Sequence, residues 1–187
     1  SVTTVRRVLN RATAIIGISV IVYGVVRLLA PGGNVNPNVA AIPRAQLFAL
    51  ASSGVRVGDV DPGVQVMVFR DFGCGWCAQF SSTLDTIMSS YPDHVGLVFK
   101  DFVLDTLGPL VDVHAGARCA ARQGAFPEYS REAYNEQAVG FGRSSWRAIG
   151  ARVSGIDVDS LAKCVLSDEE REAVLEDTRS AIALGFT

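Results

Sequence analysis

The sequence predicts an α/β domain carried behind one membrane-spanning helix. Three observations predict it. An apolar run, Val64-Gln65-Val66-Met67-Val68-Phe69, leads through a short turn into Cys74-Gly75-Trp76-Cys77 and an amphipathic run from Ala78 to about Tyr91. A second, alternating apolar run follows, and after Pro109 the spacing of apolar residues stays helical. Near the other end, Ala12 to Val26 contains no charged residue.

That uncharged stretch, extended by Leu28, Leu29 and Ala30 past Arg27, would rise about 28 Å as a helix, close to a bilayer core of about 30 Å. Arg27 lies near its end and can snorkel to the interface. Arg6, Arg7 and Arg11 precede it, so residues 12–30 should cross the membrane once with the N-terminus cytoplasmic and the rest exported. A cleaved signal peptide is the competing reading. Leu28 is too large for the usual small-residue cleavage site, and Pro31 directly after Ala30 is a poor substrate, so the residues favour a retained anchor. A buried soluble helix is the third reading, opposed by the all-round hydrophobicity and the basic flank.

Residues 31–56 read as a linker and a short helix. Pro31-Gly32-Gly33 and Asn36-Pro37-Asn38 cannot continue a helix. Ala45 to Ser53 can form one, ending near Gly54. The domain proper is placed at 57–187. Asp61-Pro62-Gly63 signals a turn before the Val64–Phe69 strand. That strand is nearly all apolar, as a central strand buried on both faces should be. In the helix after the cysteines, Phe80, Leu84, Ile87, Met88 and Tyr91 form one apolar stripe, and Pro92-Asp93 breaks it. The second strand, from about His94 to Phe102, alternates Val95, Leu97 and Phe99.

A helical block then occupies about 109–166. One helix begins at Pro109 and carries Leu110, Val113, Ala117, Ala120 and Ala121; Gly124 and Pro127 punctuate it. Others are predicted around Tyr129, Ala133 and Tyr134, from about Gly142 to Val153, and from Ser160 to Val165. Ser167 with Glu170 offers a capping box to a last helix, whose inner stripe is Val174, Leu175, Thr178, Ala181 and Ile182 and which Gly185 ends.

The chemistry concentrates in the two cysteines. A spacing of two residues brings both sulfurs to the first turn of the helix, where free N–H groups and the helix dipole favour a thiolate at Cys74. A thiolate is the form that attacks disulfides. A CxxC beside a βαβ pattern reads as a thioredoxin-like redox motif. Two other readings stay open: half of a zinc site, or an inert disulfide. Zinc wants four ligands, and there is no second CxxC, while His94 and His114 fall in unrelated segments. No metal and no cofactor are expected. The formal charge of −2 and the lack of a basic block after the first helix leave nucleic-acid binding without an electrostatic footprint.

From Val68-Phe69-Arg70-Asp71-Phe72-Gly73-Cys74-Gly75-Trp76-Cys77-Ala78-Gln79-Phe80 the chain resembles the DsbA-like thiol-disulfide oxidoreductases in their membrane-anchored bacterial form. Ala117 to Phe126, and Gly155-Ile156-Asp157 leading to Lys163-Cys164-Val165, resemble that family's helical insertion. The resemblance covers about 57–187 and implies a thioredoxin-like sheet with a helical insertion at about 109–166. It also implies that Cys74 attacks and Cys77 resolves, with Gly75 and Trp76 touching substrate. The partners would be thiols of exported proteins and a membrane redox partner.

The pattern departs from the family at three places. Relatives carry an acid where this chain has Val68, and Asp71, nearer the motif, reads as a turn residue. Gly-Trp between the cysteines leaves oxidant and reductant both open. The family's cis-proline segment has no counterpart up to Thr187, since no proline follows Pro127. Either the chain continues past Thr187 or a larger assembly covers two open strand edges.

Cys119 and Cys164 lie in the helical block. They can be free core residues, but in an oxidising compartment two cysteines of one subdomain pair more often. Two functions of different class follow. One is an extracytoplasmic thiol-disulfide oxidoreductase, favoured by the intact CxxC. The other is a thioredoxin-like structural subunit of a membrane complex, with redox activity weakened or lost, favoured by Val68 and the absent cis-proline.

Overall fold

In the computed structural model the described residues are 42–59 and 61–186. The expected span at 12–30, its basic flank and most of the linker lie outside them. Among the described residues no helix is long and apolar enough to cross a membrane.

The elements run α1 (Arg44–Ser52), β1 (Val55–Gly58), β2 (Val64–Arg70), α2 (Gly75–Ser90), β3 (Val95–Asp101), α3 (Leu110–Ala121), α4 (Phe126–Glu136), α5 (Ser145–Arg152), α6 (Val158–Val165) and α7 (Asp168–Ala183). The sheet has the order β1-β3-β2. β1 is antiparallel to β3, with Val57 opposite Leu97. β2 is parallel to β3, with Val68 opposite Phe99.

β3, not β2, is the central strand. Leu84 of α2 covers Val95 and Leu97 on one face. On the other, Lys100 is buried and reaches Asp177 of α7 and, at 2.7 Å, the Ser53 hydroxyl. The even positions of β3 are therefore buried as well as the odd ones predicted. β2 is an edge strand among the described residues, and Val64 is 56% exposed. Its apolar sequence matches a strand covered on both faces, but here its outer edge pairs with nothing described.

The α2 stripe is correspondingly half used. Leu84 is buried, while Phe80 and Tyr91 are 50% and 56% exposed. A cavity of about 510 Å³ separates Phe80 and Met88 from Val68, Phe99 and Phe126. The main core sits in the helical block, where Tyr129, Ile149, Leu161 and Val174 are fully buried.

The capping box does not form. Ser167 precedes α7, but its hydroxyl donates to the Cys164 carbonyl at 2.6 Å. Glu170 is drawn instead to Arg118, whose Nε donates to it at 2.7 Å. A charge-assisted contact outweighs a neutral cap. Of the predicted stripe on α7, Val174, Thr178 and Ala181 are buried, whereas Ile182 is 58% exposed. Gly185, with φ +85°, ends this helix as predicted, and the Phe186 N–H reaches the Ala181 carbonyl at 3.1 Å.

Candidate redox site

β2 delivers the chain to a tight turn. The Asp71 carboxylate accepts the Gly73 N–H at 2.7 Å, and the Asp71 carbonyl accepts the Cys74 N–H at 3.2 Å. Asp71 is therefore the turn residue its sequence position predicts. Its side chain is largely buried; burial pushes its carboxyl up, but the nearby His114 ring and the N–H groups of Gly73 and Leu104 hold it below the usual range.

Cys74 follows as the N-cap of α2, in extended conformation, and its carbonyl accepts the Ala78 N–H at 3.2 Å. No acidic residue occupies the first turn of α2 and no side chain caps it. The N-terminal N–H groups of the helix are thus left to the sulfurs. Gly75 and Trp76 occupy the first turn; Trp76 is 80% exposed, and nothing lies within 4 Å of where a Gly75 Cβ would sit.

Cys74 and Cys77 are both free and half-buried. Burial pushes the Cys77 thiol up, and the neighbouring Cys74 adds to this; the backbone N–H of Asp71 pulls the other way. Cys77, Val68 and Tyr134 all border the cavity. Burial pushes Tyr134 up to about 12, which keeps its hydroxyl protonated there. Val68 contributes only an apolar wall, at the position where the family resemblance implies an acid.

Cys119 and Cys164 are not part of this site. They are joined to each other, with Cα atoms 5.9 Å apart, and tie α3 to α6. Among the described residues no group of three or more His, Cys, Asp or Glu residues is placed to hold a metal ion.

The fold is that of a thioredoxin-like domain, and the thioredoxin family model matches residues 51–187. The chain belongs to the thioredoxin family. No curated protein matches it in sequence. Among solved structures it is similar to alpha-DsbA1 of Wolbachia pipientis, at 17% identity and TM-score 0.63, over 80% of this chain and 75% of that one. It is also similar to a thioredoxin-like oxidoreductase from Silicibacter pomeroyi DSS-3, at 21% identity and TM-score 0.64, over 78% and 82% of the two chains. A linker-deletion mutant of Proteus mirabilis ScsC matches at 17% identity and TM-score 0.65, over 97% and 79%. At such identities the likeness is one of fold: a DsbA-like thioredoxin sheet with added helices.

Two side chains of this thioredoxin-family site were not singled out from the sequence. His114 is 0% exposed and lies against the motif turn, its Nε2 3.0 Å from the Phe72 nitrogen. Gln137 reaches the same residue from the C-cap of α4, its Nε2 donating to the Phe72 carbonyl at 2.7 Å. The available signal was a histidine among the apolar residues of Leu110–Ala121, one helical turn before Arg118.

Proposed function

We propose that the protein is a membrane-anchored, extracytoplasmic thiol-disulfide oxidoreductase that acts through Cys74-Gly75-Trp76-Cys77 on thiols of exported proteins. The observation that carries this reading is a pair of free cysteines on the first turn of α2, with Cys74 at an electropositive helix terminus. The Silicibacter pomeroyi structure, described as an oxidoreductase, lends support through the shared fold.

A substrate thiolate attacks Cys74 Sγ of the oxidised pair, the Cys74–Cys77 bond breaks, and Cys77 leaves as a thiolate that takes up a proton. A second substrate thiolate attacks the mixed disulfide at the substrate sulfur, expelling Cys74. The substrate gains a disulfide and loses two electrons; the motif gains both. A membrane redox partner carrying an oxidised disulfide or quinone then restores the Cys74–Cys77 bond. Exposed Trp76 lies where an incoming peptide would pass.

The apolar wall at Val68 favours a second reading, a thioredoxin-like subunit of a membrane complex with weakened exchange. Alkylation of the reduced chain across pH separates the two. The oxidoreductase reading expects Cys74 to react before Cys77 and faster than a free thiol near neutral pH. Reaction of Cys77 first would reverse the roles. No enhancement at either cysteine would leave the subunit reading.

A further inference from the structure

The cavity between α2 and the sheet holds a charge that disulfide exchange does not use. Its wall is mostly apolar: Val68 and Leu97 from the strands, Leu84 and Met88 from α2, and Phe126 from α4. Arg70 lines it too, at the end of β2 and on the same face as Val68 two residues earlier. Its side chain is only 3% exposed. The guanidinium carbon lies 4.5 Å from the ring centroid of Phe126 and 5.3 Å from that of Phe99, and both rings border the cavity. Among the described residues its guanidinium makes a single hydrogen bond, from Nη1 to the Ser130 hydroxyl at 2.9 Å. Nη2 stands 3.8 Å from Asp101 Oδ1, beyond hydrogen-bond reach, and Nε is buried with no partner. Asp101 is itself shared with His114 and Arg118. Burial pushes the Arg70 pKa down, and Asp101 offsets this only in part. A buried guanidinium is costly while its N–H groups lack acceptors.

We propose that this cavity binds a small aliphatic carboxylate, its acid head paired with the guanidinium of Arg70 and its alkyl chain laid along Val68, Leu84 and Met88. A carboxylate matches the flat fork of a guanidinium, and a charge-assisted contact of this kind supplies the acceptors that Arg70 lacks. The wall also sets the charge of the head. Its cations are Arg70 and the exposed Arg131, and its one carboxylate is the exposed Asp85. Burial helps Cys77 and Tyr134, which also border the cavity, to keep their protons. The balance is one positive charge, which a monoanion neutralises and a phosphate dianion overshoots. The volume of about 510 Å³ lies within the range of small-molecule pockets, about 300–1,000 Å³. Because Cys77 lies on the same wall, a bound alkyl chain covers its sulfur from the cavity side. Binding of this kind needs no redox activity of the cysteine pair.

The test uses the reduced full chain and octanoate, with octanol and octylammonium as the same alkyl chain under a neutral and a cationic head. In calorimetry octanoate should saturate, and octanol should bind at least about tenfold more weakly, the worth of a hydrogen bond to a charged group. Octylammonium should not bind. Peptide mapping after alkylation should show Cys77 losing most of its reactivity at saturating octanoate. Arg70→Met keeps an apolar stem and should lower octanoate affinity by at least about tenfold while leaving octanol unchanged. Val68→Trp fills the cavity without touching its charge, and should abolish both octanoate binding and the protection of Cys77. Should Arg70→Met fail to fold, the three head groups on the unmodified chain and Val68→Trp still decide. Equal affinity for octanoate and octanol, octanoate binding retained in either variant, or no binding by the unmodified chain overturns the site. So does an apolar peptide that displaces octanoate at lower concentration, since the cavity would then be a polypeptide groove. None of these results touches the attack at Cys74, which alkylation across pH tests separately.

Discussion

Asp101 gathers three cationic or hydrogen-bonding side chains onto one buried carboxylate. His114 lies at 2.7 Å, Arg118 Nη1 donates at 3.1 Å, and Arg70 Nη2 stands 3.8 Å away. Together they outweigh burial and hold it down to about 2, against an ordinary value of 3.8. The unfolded chain therefore binds this proton more readily than the folded one. The stability it contributes is complete above the unfolded value and is lost as pH falls through the folded value. The gap corresponds to about 2 kcal/mol. Urea unfolding of the full chain across the acid range should show stability falling from about pH 5 to about pH 2. In Asp101→Asn that fraction of the acid loss should vanish, while stability at neutral pH drops because Arg70 stays buried without its counter-ion. An acid limb identical in the two proteins would show that Asp101 is not its source.

Helix packing depends on one close approach. Gly116 of α3 is buried against Tyr129, and a Cβ there would stand 2.8 Å from Tyr129 Cζ and 3.4 Å from Trp146 Cβ. Tyr129 is fully buried, and its hydroxyl donates to the Trp146 carbonyl at 3.2 Å, so it cannot swing out to solvent. Gly116→Ala gains about 1 kcal/mol of helix propensity but overpacks the α3–α4–α5 junction, at a cost of about 1–3 kcal/mol. Thermal unfolding should show a net loss; a rise in Tm would mean that Tyr129 can give way. The helices themselves were legible from apolar spacing, because each lays one stripe on a shared core. β1 was not, since four residues show too little alternation to be told from a loop. The central place of β3 was hidden because its outer face is closed by charge, Lys100 on Asp177, rather than by apolar residues. In the site, Cys74, Cys77 and the Asp71 turn could be read locally. His114 and Gln137 could not, because they lie 42 and 65 residues from Phe72 and meet it only in the folded chain.

For the molecule as a whole, the question is what joins the helical block to itself and to the sheet. Arg118 is one joint. From α3 it donates to Asp101 of β3, Glu170 and Asp177 of α7, and the Ser53 carbonyl beyond α1. The Cys119–Cys164 bridge is the other, and it lies one residue from Arg118 on the same helix. It closes a loop of 45 residues that contains α4 and α5, and with them Gln137. In the chain-entropy picture such a closure stabilises the fold by about 4 kcal/mol, mostly by restricting the unfolded chain. Small domains have net stabilities of only about 5–15 kcal/mol, so this one bond is a large share. Replacing both cysteines, Cys119→Ala with Cys164→Ala, should lower unfolding free energy by about 4 kcal/mol in urea titrations. Arg118, Asp101 and the Phe72 contacts remain in that variant. At temperatures where it is still folded, Cys74 should therefore alkylate at the unmodified rate. A stability loss with unchanged alkylation would mark the bridge as a staple of the scaffold. A matching loss of alkylation would instead mean that the bridge transmits to the motif through α3, and the division between scaffold and redox pair would have to be abandoned.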